Sequence, residues 1–231
     1  MSIYIPEFKI NIYGPIVASS IIIGLIVACI LMSKANVKKE TIIFTAILTF
    51  VSILICSACV SIALSGNIRR VGFVGAGGAL GLLLGAVLSA LIHNDHVAES
   101  VSAWVITAPL MYGLAKIGCH FAGCCNGIPY HGIFKLTYEI KGDGNYFPVQ
   151  LLETVVFVII FLFGIIFYIR KQRKAIVAAI VLISCAVAKV SIEFLREEHM
   201  GKVITGYQIL VLVIAFAGVA ALYYIDKKVR V

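Results

Sequence analysis

Seven long runs of apolar residues decide most of what this sequence can fold into. An α-helix needs roughly 20 mostly apolar residues to cross the hydrocarbon core of a bilayer, and each run satisfies or nearly satisfies that length. We therefore predict an all-α, polytopic membrane protein in which residues 1–231 form a single integral membrane domain. The predicted spans are residues 15–32, 41–64, 71–92, 97–115, 149–169, 175–195 and 205–225.

The composition also indicates a membrane protein. Hydrophobic residues make up 61% of the chain and charged residues 13%, and the mean hydropathy of +1.07 lies far outside the range of soluble domains. A net charge of +8 can indicate a nucleic-acid-binding protein, but here Lys and Arg cluster at the ends of the spans, as membrane anchors do. We therefore expect the bilayer and anionic lipids, and no nucleic acid, as partners.

The distribution of Lys and Arg predicts the orientation as well. With the N-terminus outside, the loops and the tail that lie in the cytoplasm carry slightly more of these residues than the outer segments. The first span is expected to be retained, because its leader carries Glu7 beside Lys9 and no cleavage site of small residues follows. We predict an outside N-terminus, a cytoplasmic C-terminus and an outer connection between spans four and five.

That connection, residues 116–148, is too long and too rich in Gly, Cys and aromatic residues for a plain turn. Its first part, KIGCHFAGCCNG at residues 116–127, places a lysine, a histidine and three cysteines beside apolar spans. Irregular backbone at membrane depth is tolerated only where it is buried in protein or lines a cavity. We therefore predict a partly re-entrant outer loop that forms a functional site.

A second polar feature lies at the end of span six, where Lys189, Glu193 and Arg196 are spaced to share one helix face. Ionisable groups in a membrane helix are costly unless they are paired, and they indicate a functional site. Lys189 and Glu193 are the expected ion pair, which leaves the guanidinium of Arg196 free near the outer interface. The alternative is that Arg196 only marks the end of the helix.

Span three contains Gly77 and Gly78 within a run of small residues. Small residues allow close contact between membrane helices. They also allow backbone amides to approach a phosphate group. The sequence is compatible with both roles.

Four stretches that are spread along the chain share one resemblance. They are FKINIYG at residues 8–14, KIGCHFAGCCNG at 116–127, FPVQLLE at 147–153 and KVSIEFLR at 189–196. In order and spacing they resemble the prolipoprotein diacylglyceryl transferase family. The corresponding family motifs are a leader ending in an aromatic-Tyr-Gly, a signature beginning Arg-Ile-Gly-Asn-Phe, His-Pro-Thr-Gln-Leu-Tyr-Glu and Arg-x-x-x-Glu-Phe-Phe-Arg.

The resemblance implies a bacterial cell-membrane enzyme without a metal or another cofactor. Such an enzyme transfers a diacylglyceryl group from phosphatidylglycerol to the thiol of a lipobox cysteine in a precursor protein and releases glycerol phosphate. The chain departs from the family pattern where Ala76 replaces a histidine that is usually proposed as the base. Lys116 and Lys189 replace arginines, Cys119 replaces an asparagine and Cys124 replaces an acidic residue. The lysines keep the charge but lose the bidentate fork of arginine.

The residue types themselves suggest roles in such a reaction. A lipid phosphodiester needs cations that hold the phosphate and stabilise charge on the leaving group, for which Lys116, Lys189 and Arg196 are the candidates. A thiol acceptor needs a base, for which His120 is the first candidate and His131 the second. The remaining candidates, which would bind the headgroup or shape the backbone around it, are Tyr13, Gly77, Gly78, Gly118, Cys119, Gly127, Gln150, Glu153 and Glu193.

The cysteines leave other interpretations open. Cys119, Cys124 and Cys125 with a histidine offer soft ligands for zinc, but their spacing lacks the C-x2-C pair typical of zinc sites. A disulfide from Cys119 to either neighbour is compatible with an outer loop. The sequence therefore allows three functions: a lipid-group transferase, a non-catalytic lipid-binding protein of the same fold, and a thiol-based redox protein.

Overall fold

The computed structural model describes residues 2–6, 12–68, 72–139, 144–170 and 173–230. Most of the predicted leader motif and the predicted start of span three lie outside these residues. The same holds for some of the basic residues that predict the orientation, namely Lys9, Arg69, Arg70, Lys141 and Lys171.

Seven helices within the described residues are long and apolar enough to cross a membrane, which confirms the predicted all-α membrane fold. Most of their boundaries lie within two residues of the predicted spans; the exceptions are the start of the third helix and the ends of the fourth and seventh. The helices are α1 (Tyr13–Lys34), α2 (Lys39–Ser65), α3 (Gly75–Ile92), α4 (Val97–Phe121), α5 (Val149–Arg170), α6 (Lys174–Glu193) and α7 (Gly206–Arg230).

Because the chain reverses direction between consecutive helices, their termini alternate between the two ends of the bundle. One end, which we call the site end, holds the N-termini of α1, α3, α5 and α7 and the C-termini of α2, α4 and α6. The other, which we call the opposite end, holds the short connections α1–α2, α3–α4 and α5–α6. A hydrogen bond from the backbone N–H of Lys38 to the carboxylate of Asp95 (2.9 Å) joins two of these connections.

Helix α4 lies at the centre of the bundle and contacts α1, α3, α5, α6 and α7. Its Trp104 and Ile106 are fully buried, and the indole N–H of Trp104 donates to the hydroxyl of Thr45 on α2 at 3.0 Å. Helix α2, in contrast, exposes Ile43 and Ile47 by 60% and 61%. These exposed side chains form a surface suited to lipid.

The fourth helix is longer than predicted. It continues past residue 115 to Phe121, so Lys116 and Cys119 lie on α4 and not in the connection that follows. The helix ends in a Schellman turn, in which the N–H of Cys124 donates to the carbonyl of Cys119 at 3.2 Å. Gly123 has a φ of +62° in this turn, a conformation that glycine adopts without a steric penalty.

A small three-stranded sheet lies at the site end. Strand β1 (Ser2–Ile5) runs parallel to β2 (Lys135–Tyr138), which pairs antiparallel with β3 (Asn145–Tyr146). The sheet has a small core of its own. It is attached to the bundle because the amide of Gln150 on α5 donates to the hydroxyl of Tyr138 at 3.1 Å.

Candidate functional site

Glu153 of α5 is the centre of a buried group of charged residues, and its side chain is 0% exposed. Its Oε1 accepts hydrogen bonds from the hydroxyl of Tyr112 and the ammonium of Lys189, both at 2.8 Å. Its Oε2 accepts one from Arg196 at 2.9 Å, and Nζ of Lys116 lies 3.1 Å from the same oxygen. A buried carboxylate is tolerated when it is paired and hydrogen-bonded in this way.

Glu193 supplies a second carboxylate to this group. Its Oε2 accepts a hydrogen bond from Lys189 at 2.8 Å and lies 3.4 Å from Nε of Arg196. Three cations therefore face two carboxylates, which leaves one positive charge in excess when all five groups are ionised. We call these five residues the charge cluster; all of them are buried: Lys116, Glu153, Lys189, Glu193 and Arg196.

The position of Arg196 corrects two predictions, whereas the predicted pair of Lys189 and Glu193 is confirmed. Helix α6 ends at Glu193, and Arg196 follows it in an extended conformation, so the three residues do not share one helix. The guanidinium is not free either, since it contacts both Glu153 and Glu193. Burial disfavours the charge on Arg196, but the carboxylate of Glu153 more than offsets this effect and the pKa lies above its ordinary value.

Backbone contacts hold the Arg196 segment against the end of the KIGCHFAGCCNG segment. Gly127 and Arg196 form an antiparallel β-bridge, and the N–H of Ile128 donates to the carbonyl of Leu195 at 3.0 Å. A Cβ on Gly127 would lie 2.3 Å from the carbonyl oxygen of Phe147, which leaves no room for a side chain. This contact supports the backbone role expected for Gly127.

Two tyrosines that the sequence analysis did not single out complete the surroundings of the cations. The ring centroid of Tyr112 lies 5.0 Å from Nζ of Lys116, and that of Tyr207 lies 5.0 Å from Nζ of Lys189, both within cation–π distance. Tyr112 precedes Lys116 by one helical turn, and this i, i+4 spacing is a signal that could have identified it. Tyr207 comes from α7, and no local pattern connects it to the site.

A cavity of about 560 Å³ lies beside the charge cluster. Lys116, Glu193 and Arg196 form a polar part of its wall together with Tyr112 and Tyr207. Much of the remaining wall is apolar and is formed by Ile21, Ile53, Leu64, Phe73, Leu82 and Met111. The cavity therefore has the polarity pattern that suits an anionic amphiphile, with cations at one part and hydrocarbon along another.

Lys189 and Ala76 lie beside a second cavity. Both line a smaller and mostly apolar cavity of about 110 Å³ that adjoins the larger one. Lys189 does not line the larger cavity. It is connected to the cations there through Glu153 and Glu193, with which it forms ion pairs. Ala76 offers no side-chain group that can accept a proton.

Three cysteines form a second group beside the charge cluster, which we call the thiol cluster: Cys119, Cys124 and Cys125. They are free thiols and not a disulfide, and their sulfur atoms all lie within 4.8 Å of one another. Cys119 and Cys125 line the larger cavity, as does Lys116. Hydrogen bonds from the other two thiols, together with the charge of Lys116, lower the pKa of Cys125.

The cavity wall, as far as the described residues form it, includes neither of the two histidines predicted as bases. His120 is buried on α4, and its Nδ1 has no hydrogen-bond partner among the described residues. Its ring packs against Phe121, with the centroids 5.3 Å apart. His131 is exposed on the connection to α5. The geometry thus gives neither histidine access to a substrate in this cavity.

Two of the remaining predicted positions line the cavity, namely Tyr13 and Gly78. Gly118 lets α4 approach α1, since a Cβ there would lie 3.4 Å from the ring of Tyr13. Gly77 faces α2, and its Cβ would lie 2.7 Å from the carbonyl oxygen of Cys56. This short distance supports the helix-packing role for Gly77.

Gln150 has a structural role in holding the thiol cluster. Its side chain is 0% exposed, and its amide donates to the carbonyl oxygen of Cys124 at 2.8 Å as well as to Tyr138. The turn that carries Cys124 is thereby tied to both α5 and the small sheet. Gln150 positions the cysteines and does not line the cavity wall that the described residues form.

Comparison with known proteins extends this description. The profile of the prolipoprotein diacylglyceryl transferase family matches residues 1–224. Curated relatives include the phosphatidylglycerol–prolipoprotein diacylglyceryl transferase of Clostridium tetani (strain Massachusetts / E88), 28% identical over 137 residues. Another is phosphatidylglycerol–prolipoprotein diacylglyceryl transferase 2 of Clostridium perfringens (strain 13 / Type A), 26% identical over 162 residues.

These alignments cover 57% and 68% of this chain, and 55% and 63% of the two relatives, so the matched part spans less than two thirds of each relative. The family profile, in contrast, extends over nearly the whole chain. Together with the seven apolar helices, the family match indicates a multi-pass bacterial membrane protein. The chain therefore belongs to the prolipoprotein diacylglyceryl transferase family.

Proposed function

We propose that this protein transfers a diacylglyceryl group from phosphatidylglycerol to a cysteine thiol of a lipobox-containing lipoprotein precursor. The acceptor thiol loses its proton to water, and the thiolate sulfur attacks the glyceryl carbon that carries the phosphate. A C–S bond forms, the C–O bond to the phosphate breaks, and the oxygen keeps the electron pair, so glycerol phosphate leaves. The observation that carries the proposal is the charge cluster, with its excess positive charge beside an amphipathic cavity.

The charge of the lipid headgroup matches that of the charge cluster. An excess cation in a buried site is costly when no anion compensates its charge. The phosphodiester of phosphatidylglycerol carries one negative charge. Binding of this lipid therefore neutralises the cluster as a whole, and a zwitterionic lipid does so less well.

The charge of the leaving group explains why the cations favour the reaction and not only binding. As the C–O bond breaks, a singly charged phosphodiester becomes a phosphate monoester that gains negative charge. Interactions that strengthen toward the transition state accelerate the chemical step. Lys116 and Arg196, which line the cavity, are the groups placed to make them.

The other charged residues support these two cations. Glu153 contacts both Lys116 and Arg196 and holds them at a fixed separation on two different segments. Lys189 and Glu193 lie on α6 and complete the network around that carboxylate. We assign Lys189 as a positioning residue, because it contacts Glu153 and Glu193 and lines the smaller cavity instead of the larger one.

The proposed reaction requires a membrane orientation as well. We place the site end at the outer face, with the N-terminus outside and the C-terminus in the cytoplasm, in line with the Lys and Arg distribution. A C-terminal green fluorescent protein fusion is then expected to fluoresce, and a C-terminal alkaline phosphatase fusion to be inactive. The reverse pair of results contradicts this orientation.

A reconstituted transfer assay tests the proposed function. The full chain is incorporated into liposomes that contain phosphatidylglycerol, a synthetic lipobox peptide is added, and the peptide mass is measured. The peptide is expected to gain one diacylglyceryl group, and a peptide with Ser in place of its Cys is expected to gain none. In Lys116→Met the rate is expected to fall about 100-fold or more, as for other groups that stabilise a developing oxyanion.

Lys34→Met is the matched control, because Lys34 is exposed at the opposite end and outside the charge cluster. Its transfer rate is expected to equal that of the wild type. Binding of phosphatidylglycerol without any mass gain, under conditions in which another family member modifies the same peptide, refutes the proposed reaction. That result supports the non-catalytic lipid-binding function instead.

A further inference from the structure

The thiol cluster has no role in the mechanism described so far, although two of its members share the cavity wall with Lys116. The three cysteines come from a C-x4-C-C pattern, in which Cys119 lies on the last turn of α4 and the other two follow the helix end. The local backbone brings them together, and its features point to a ligand for the sulfur atoms.

The Schellman turn places Cys124 next to Cys119, since its N–H donates to the Cys119 carbonyl at 3.2 Å. Cys125 then adopts a φ of +57°, a left-handed conformation that is unfavourable for a residue with a side chain. The amide of Gln150 holds the carbonyl of Cys124 at 2.8 Å. These contacts fix the backbone that carries the three sulfur atoms, so little backbone reorganisation is needed to bind an ion.

The spacing of the sulfur atoms suits a thiophilic metal ion. They all lie within 4.8 Å of one another. A tetrahedral zinc ion with Zn–S distances of about 2.3 Å requires ligand sulfurs about 3.8 Å apart. Rotations about the Cα–Cβ bonds of the cysteines cover this difference.

We propose that Cys119, Cys124 and Cys125 bind one zinc ion, and that the fourth coordination position faces the cavity and takes the thiol of the lipoprotein precursor. This inference rests on the proposed function for its second part only. Three protein ligands with one position left for substrate is the arrangement of a catalytic zinc site. The site also offers a way to deprotonate the acceptor thiol, a task that neither Ala76 nor the two histidines outside the described cavity wall can perform.

The reaction remains balanced with the metal in this role. The precursor thiol coordinates the zinc ion and loses its proton to water, since metal coordination deprotonates a thiol. The resulting thiolate attacks the glyceryl carbon of phosphatidylglycerol, the C–S bond forms and glycerol phosphate leaves with the electrons of the C–O bond. The product sulfur is a neutral thioether, which is a weaker ligand than a thiolate and therefore dissociates.

Metal analysis of the purified full chain tests the site without relying on activity. The protein is isolated in detergent from cells supplied with zinc, and its zinc content is measured by mass spectrometry of the elements. We expect about one zinc per chain in the wild type, and a decrease of about tenfold or more in Cys119→Ser, Cys124→Ser and Cys125→Ser. Cys59→Ser is the matched control, since Cys59 is exposed on α2, and it is expected to keep its zinc.

Cobalt substitution identifies the ligands and the fourth position. Cobalt(II) bound to three thiolates is expected to give an intense sulfur-to-metal charge-transfer band, which the Cys124→Ser variant loses. A lipobox peptide is expected to change the visible cobalt spectrum, and the same peptide with Ser in place of Cys is expected to leave it unchanged.

The outcomes separate this inference from the proposed function. Zinc content in the wild type no higher than in the three variants refutes the metal site, whether or not transfer occurs. A disulfide within the cluster, detected as two thiols fewer per chain than the reduced protein, refutes it as well. Zinc binding together with a cobalt response to the Cys peptide, but without diacylglyceryl transfer, retains the metal site and refutes the proposed reaction.

Discussion

Two arginine–carboxylate pairs at opposite ends of the bundle have nearly the same length and different surroundings. Arg196 and Glu153 lie 2.9 Å apart at the site end with side chains 7% and 0% exposed. Arg173 and Asp226 lie 2.8 Å apart at the opposite end with side chains 54% and 17% exposed. An exposed pair contributes little to stability, whereas a buried one has a high cost when a partner is removed. Distance alone therefore does not identify a functional pair.

The two ends also differ in the length of the connections between helices and in the polar groups that they hold. The opposite end joins its helices through short connections, one pair of which is tied by the hydrogen bond from Lys38 to Asp95. The site end holds the long connection from α4 to α5, the small sheet and both the charge cluster and the thiol cluster. Polar groups that are costly in a membrane protein are thus concentrated at one end.

The largest effect is expected from removing the charge at the centre of the charge cluster. Glu153→Gln leaves three cations facing a single carboxylate in a buried site, and we expect a loss of about 3–5 kcal/mol in the free energy of unfolding. Asp226→Asn breaks the exposed pair and is expected to cost no more than about 1 kcal/mol. Unfolding in detergent can be followed through the fluorescence of Trp104, the only tryptophan of the chain, which is fully buried.

Similar unfolding midpoints for these two variants would show that the buried cluster contributes no more than a surface pair. In that case the contrast between the two ends has no energetic basis.

The next prediction separates stability from activity within the charge cluster. Lys116→Met removes the excess positive charge and leaves two cations facing two carboxylates. We expect this variant to be as stable as the wild type or more stable, because it relieves an uncompensated buried charge, while its transfer rate falls. Thermal unfolding and the transfer assay are measured on the same preparation. A decrease in stability comparable to that of Glu153→Gln contradicts the assignment of the excess charge to substrate binding.

Two glycines at the site end allow a matched test of the turn that holds the thiol cluster. Gly123 and Gly66 both follow helices and have φ values of +62° and +63°. Alanine at either position is expected to cost about 1–2 kcal/mol, because the left-handed conformation is strained for a residue with a Cβ. Only Gly123→Ala is expected to lose zinc, since only that turn positions the cysteines. Equal zinc contents in the two variants would contradict the claim that the turn at Gly123 positions the cysteines for zinc.

The smallest effect is expected at the opposite end. The backbone N–H of Lys38 lowers the pKa of Asp95 below its usual 3.8. A lowered folded-state pKa contributes stability above the unfolded value, and this contribution is lost as the pH falls through the folded value. Asp95→Asn is therefore expected to be slightly less stable than the wild type at neutral pH and equal to it in strong acid. A difference between them that does not change with pH contradicts this assignment.

Much of the fold could be predicted from the sequence, because hydrophobic length is a local property. The runs of about 20 apolar residues predicted the seven helices, and the largest boundary errors were at the ends of α4 and α7 and the start of α3. The helix continues past the predicted end at residue 115, and Lys116 within this extra part pairs with Glu153 on α5. The small sheet was missed, since its strands are short and come from distant parts of the chain.

The sequence identified several residues of the candidate site, but it did not predict how they contact one another. Lys116, Lys189 and Arg196 were identified from charge within apolar surroundings, and the structure brings them together. The central role of Glu153 and the pairing of Arg196 depend on contacts between α4, α5 and the segment after α6. No local pattern specifies such contacts, so the sequence could not separate a free guanidinium from one held by two carboxylates.

The lipid that remains on the purified protein tests the central claim most directly. Wild type, Lys116→Met and Lys34→Met are extracted from membranes that contain phosphatidylglycerol and zwitterionic lipid, and bound lipids are counted by native mass spectrometry. We predict one tightly bound phosphatidylglycerol on the wild type and on Lys34→Met, and its loss from Lys116→Met. Equal occupancy in all three proteins, or equal retention of the zwitterionic lipid, would contradict a charge cluster built to hold an anionic headgroup.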